Sequence, residues 1–171
     1  VRWAMNNYTA MDIANYIIAF VSEKQLGTIT PLKLQKILYY VSTAYLQECD
    51  ELLFKEDFEK WQYGPVVTDV YHNFKKFGIS HISETVPTLV EDKGSFLGFK
   101  RQIFDVTIFD ENVNFKKVAE EVIRKLIRID AFDLVELTHE EKAWKSFEVK
   151  IKAGAKDLKY TKSELMAAKK I

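Results

Sequence analysis

Only one cysteine, Cys49, occurs in this sequence, so no internal disulfide can form, and three histidines leave few soft ligands for zinc. Charge of one sign is also missing, because 25 basic residues balance 25 acidic ones. That removes the overall positive field with which nucleic-acid binders displace counterions from phosphates, and nucleic acid is not expected as the main partner. No stretch approaches the about 20 apolar residues that a membrane-crossing helix needs. The N-terminus carries no basic, apolar and small-residue secretion pattern, so no membrane partner is expected and the reducing cytoplasm is the expected address. A phosphate-cradling glycine loop, a Gly-x-Ser-x-Gly elbow and a His-Glu-x-x-His helix are all absent. The expectation is no catalytic set, no cofactor and no metal.

What remains is ample material for one core: 171 residues, 47% of them hydrophobic. A single domain is expected over 11–171, preceded by an N-terminal segment, 1–10. Val1–Ala4 lack a helical pattern and read as upstream or non-native sequence. Thr9 and Asp12 have the spacing of a capping box, which predicts a first helix to about Gln25 with Ile13, Ile17, Phe20 and Val21 on the buried stripe. Asp12, Asn15, Ser22 and Glu23 fall largely off that stripe. Thr30 as cap and Pro31 at the first helical position announce a second helix reaching about Cys49, antiparallel to the first. Its apolar seam is Leu34, Ile37, Leu38, Val41 and Tyr45, with Lys33, Lys36 and Gln47 assigned to the wet face.

Residues 50–60 mix acidic and apolar types and suit a loop or short strand. After Gly64-Pro65, the spacing of Val66, Val70, Phe74 and Phe77 predicts a third helix closed by Gly78 in a left-handed C-cap. Between Ser83 and Asp110, β-branched and aromatic residues flank Lys93-Gly94, which predicts an antiparallel strand pair with Pro87 at an edge. A fourth helix from near Asn114 runs through Phe115, Val118, Val122, Leu126 and Ile129. Asp130 with Asp133, Thr138 with Glu141 and Thr161 with Glu164 are capping-box-like pairs, which predicts short helices in the last third. Residues 145–159 read as an exposed connection. The fold class is therefore mainly α with a small antiparallel β element, a compact α+β domain.

Chemistry-bearing residues are sparse. His72, His81 and His139 are far apart in sequence, and structural or solvated roles outweigh a metal site, with a local contact to Asp69 open to His72. Cys49 reads as a small core residue without an activating base. Glu140 and Glu141 are neighbours and do not share a helix face, so capping by Glu141 is favoured over paired-carboxylate chemistry. The C-terminal lysines with Phe147 and Tyr160 interleaved read as a solvated face ahead of a nucleic-acid contact. In residues 58–65, Trp61 and Tyr63 have the large area and polar tips that anchor interfaces, and could equally fill the core.

Three segments also resemble a known family. Ile29–Tyr40, with the sequence ITPLKLQKILYY, is similar to the signature second helix of the Panacea domain found in SocA-like antitoxins and phage-associated GepA-like proteins. Trp61–Val67 with Val70-Tyr71 resembles that family's Trp and Tyr-Gly-Pro-Val motif, and Leu137–Glu141 with Trp144 its late Leu-Thr-His-Glu-Glu motif. The order matches, from about Met11 to Trp144, although Lys142-Ala143 stands where Pro-Trp is common. The resemblance implies an antitoxin-like module that binds and neutralises a cognate toxin protein encoded nearby, with a cytoplasmic protease as a second partner where the domain serves as an adaptor. Candidate partner-binding residues are Trp61, Tyr63, Tyr71, His139 and Trp144, as direct anchors or as core residues shaping the site. Two other readings stay open at this level: an enzyme using His139 and Glu140, and a regulator touching nucleic acid through the C-terminal lysines.

Overall fold

A computed structural model describes residues 6–171, so the reading of Val1–Ala4 lies outside the described residues. Helix α1, Ala10–Glu23, opens with the expected box: the Thr9 hydroxyl accepts from the Asp12 amide at 3.1 Å and the Asp12 carboxylate accepts from the Thr9 amide at 2.9 Å. It stops short of Gln25, where the backbone swings to φ 51°. Helix α2, Pro31–Cys49, is capped by the Thr30 side chain and ends at Asp50 in the left-handed region. Strands β1, Glu59–Trp61, and β2, Gly64–Val66, form an antiparallel hairpin, and α3, Thr68–Phe74, follows directly. Val66 therefore belongs to a strand and not to the third helix, because Glu59 pairs with it across the hairpin.

The chain leaves α3 through a short 3-10 turn, Lys75–Phe77. Gly78 closes that turn with φ 58° and ψ −115°, a conformation L side chains disfavour but outside the left-handed helical cap that was expected. Strands β3, Thr88–Glu91, and β4, Phe99–Gln102, are the second hairpin, in the register Thr88–Gln102 to Glu91–Phe99. Thr85 and Val86 lie before it, and Val106–Phe109 is a 3-10 turn instead of strand. Helix α4, Val113–Leu126, starts at an Asn112 cap whose side chain accepts from the Phe115 amide at 3.0 Å. The last third contains α5, Ala131–Glu140; α6, Lys142–Lys145; α7, Glu148–Lys152; and α8, Lys162–Met166. The fold is mainly helical with two small antiparallel sheets.

The core wraps around α2, which packs against α1, α3, α4, α5, α8 and β2. Being covered on nearly every side, it buries Leu34, Ile37, Leu38, Tyr39, Tyr40, Val41 and Leu46 together. At one end Tyr16, Phe109 and Phe115 meet with ring centroids 4.7–5.0 Å apart. Edge-on pairs such as Tyr16 with Phe109 and with Phe115, and stacked ones such as Phe109 with Phe115, contribute beyond their buried area, by about 0.5–1.5 kcal/mol each.

Two buried amides tie loops to the helical core. The Asn15 side chain donates to the Val86 carbonyl and accepts from the Val86 amide, both at 2.9 Å, and so is buried against the loop before β3 instead of lying off the buried face. Gln35 treats Val67 the same way, donating at 3.2 Å and accepting at 3.0 Å. Each side-chain amide replaces a missing strand partner, because a buried backbone N–H and C=O both need one.

Candidate functional site

Hairpin β1–β2 is too short to hold itself, and its backbone is satisfied from outside. Four successive groups reach it. The Trp144 indole donates to the Trp61 carbonyl at 2.8 Å, His139 Nε2 lies 2.9 Å from the Gln62 carbonyl, the Lys36 amine donates to the Pro65 carbonyl at 2.9 Å, and Gln35 clasps Val67. A carbonyl can only accept, so Nε2 of His139 carries the proton. The other edge is held by the C-terminal segment: the Lys60 amide donates to the Leu158 carbonyl at 2.6 Å and the Tyr160 amide to the Phe58 carbonyl at 2.8 Å. Residues 145–159, expected as an exposed connection, thus contain α7 and help pin the hairpin.

Lys36 is the largest departure from the sequence reading. It was assigned to the wet face but is fully buried, and burial pushes its amine from the ordinary 10.5 down to about 7. Gly64 makes the approach possible: with φ +95°, a side chain there would collide with the Thr138 hydroxyl and crowd the Lys36 stem. Thr138 in turn sits inside α5, where its hydroxyl donates to the Val135 carbonyl at 2.7 Å. It caps nothing, and the expected pairing with Glu141 is corrected. The Glu141 carboxylate instead accepts from the Tyr39 hydroxyl at 2.8 Å, the Tyr40 hydroxyl at 3.3 Å and the Lys169 amide at 2.7 Å. Burial pushes its pKa up from the usual carboxylate range, against the opposing pull of those three donors. Asp130, read as boxed with Asp133, caps α5 through the Phe132 amide alone at 2.9 Å.

Lys60 is buried as well, held 2.7 Å from Glu164 and 3.6 Å over the Phe147 ring. Burial pushes Glu164 up, but the hydrogen bonds from Lys60 and from Thr161 hold its carboxyl below the usual range. Thr161 and Glu164 form the capping box read from sequence.

The five candidate residues divide by position. Trp144 is 2% exposed and stacks against His139 with centroids 3.6 Å apart, so both hold the hairpin from behind. Burial lowers the His139 pKa below its ordinary 6.5. Tyr63 is 52% and Tyr71 40% exposed, with half-buried Trp61 meeting the Tyr71 ring edge-on at 5.0 Å. These three rings, with Pro31, Leu32 and Val66, line an apolar groove of about 360 Å³. Phe132, which no motif pointed to, extends the surface: it is exposed and lies 6.1 Å from the Tyr63 ring.

The remaining chemistry-bearing residues have local duties. His81 Nδ1 accepts from the Ile29 amide at 3.0 Å. His72 packs its ring on Tyr71 while Asp69 takes the Asn73 side chain at 3.4 Å in its place. Burial raises the Cys49 thiol. Among the described residues no group of three or more His, Cys, Asp or Glu could hold a metal ion, and no helix is long and apolar enough to cross a membrane.

A family model for the SocA-like antitoxin, Panacea domain matches residues 34–145, more than half of the chain. The chain belongs to this family. No curated protein and no solved structure matches it. The three Panacea segments read from sequence are the ones that meet here: the second helix supplies Gln35, Lys36, Tyr39 and Tyr40, the Tyr-Gly-Pro-Val segment supplies the hairpin, and the late segment supplies Thr138, His139, Glu141 and Trp144.

Proposed function

We propose that this Panacea domain is an antitoxin that binds a cognate toxin protein in the cytoplasm and blocks it sterically, using the aromatic surface of the β1–β2 hairpin. The observation that carries the reading is the division of labour around that hairpin. Side-chain donors from two distant segments lock its backbone, while Trp61, Tyr63 and Tyr71 are left presenting area outward. A rigid aromatic surface loses little entropy on binding, and Tyr and Trp dominate interface hot spots for that reason. His139 and Trp144 are positioning residues in this reading.

Occlusion requires neither a catalytic residue nor a protease. His139 Nε2 is used on the Gln62 carbonyl and its ring stacks on Trp144, which supports a positioning role over a catalytic one. Co-expression with the product of the adjacent gene tests the proposal. Growth rescue and a co-purifying complex are expected, and the absence of both rejects an antitoxin role.

A further inference from the structure

On the face formed by the start of α1 and the base of the β3–β4 hairpin lies a second cleft, of about 440 Å³, that the Panacea segments do not line. Its apolar wall includes Leu89, 76% exposed, and Ile103, 74% exposed. Around them stand four carboxylates, Asp12, Glu56, Asp69 and Asp105, and among the described residues none of the lining side chains is cationic. In a chain whose charges balance overall, that is a local excess of one sign. Glu56 Oε2 accepts from the Ala10 amide at 2.7 Å, while its Oε1 is shielded from solvent and has no hydrogen-bond partner among the described residues.

We propose that this cleft docks a basic, apolar-bearing segment of the partner protein, its lysines or arginines facing the carboxylates and its apolar side chains lying on Leu89 and Ile103. The proposal rests on the reading of the chain as a module that grips another protein, and it names the chemistry of a second contact. Charge complementarity selects the occupant: an acidic segment would meet four like charges, and a purely apolar one would strand them desolvated. The Thr107 hydroxyl and amide both donate to Asp105 and hold its carboxyl below the usual range.

The probe is a short synthetic peptide of alternating leucine and lysine, titrated into the isotope-labelled full chain and followed by amide chemical shifts. Shifts are expected at α1 and β3–β4. The affinity should fall about tenfold or more with Asp69→Lys or with Leu89→Ser, two exposed positions whose exchange leaves the circular dichroism unchanged. A control peptide with glutamate for lysine, or serine for leucine, is expected not to bind. No saturable shifts, shifts confined to another face, or equal binding by either variant or by a control peptide overturns the proposal. None of these outcomes bears on the antitoxin reading, which the adjacent-gene product tests by itself.

Discussion

Single residues carry the unusual chemistry, and Lys36 carries most of it. Its amine is buried with the Pro65 carbonyl as acceptor, and burial pushes its pKa down to about 7 from 10.5. Between those values the unfolded chain holds a proton that the folded chain has released, so stability rises with pH through that window, and the cost of burying the cation is fully present below it. Above about pH 10 the buried Tyr39, Tyr40 and Tyr160, whose ionisation burial suppresses, reverse the trend. Lys36→Met is expected to flatten the rise, measured as urea midpoints between about pH 6.5 and about pH 9.5; an equal rise in the variant places its source elsewhere. Glu141→Ala strands two buried phenols and the Lys169 amide, and a loss of about 2–4 kcal/mol is expected, against a smaller loss for Glu141→Gln. Little of this was legible beforehand. A lysine on an amphipathic helix reads as solvated, and the only warning was that Tyr39, Tyr40 and Thr43 share its side of α2, which leaves that helix apolar nearly all round.

Elements that depend on local rules were readable, and those that depend on distant partners were not. The start of α1, all of α2 and the box at Thr161 follow from caps and a 3.6-residue period, which need only neighbours in sequence. Hairpin β1–β2 has just three residues per strand and exists because α2, α5, α6 and the C-terminal segment satisfy its backbone carbonyls and amides, so no local pattern announces it. The same distance explains why Glu141 and Thr138 were misread as a cap. Gly64→Ala, at φ +95° and against Thr138 and Lys36, is expected to lower stability by about 2–3 kcal/mol in thermal melts. Hairpin β3–β4 is the contrast: Phe96 and Leu97 at its tip are exposed. Phe96→Ser or Leu97→Ser should change stability by no more than about 0.5 kcal/mol, and a larger loss would show that this hairpin packs on the body.

For the molecule as a whole, the family's recognisable residues build a support, and the surface that the support presents is the proposed binding face. The three segments could be placed in one family from sequence, yet which aromatic rings face outward depended on the tertiary fold, since Trp61, Tyr63 and Trp144 are alike in type and differ only in what covers them. The decisive quantity is the affinity of the purified chain for the adjacent-gene product, determined by calorimetry for the native protein and for the double variant Tyr63→Ala/Tyr71→Ala. Two exposed rings at hot-spot positions correspond to a weakening of about a hundredfold with the melting temperature preserved. An unchanged affinity in a folded double variant would mean that the hairpin surface is not what this protein uses to hold its partner.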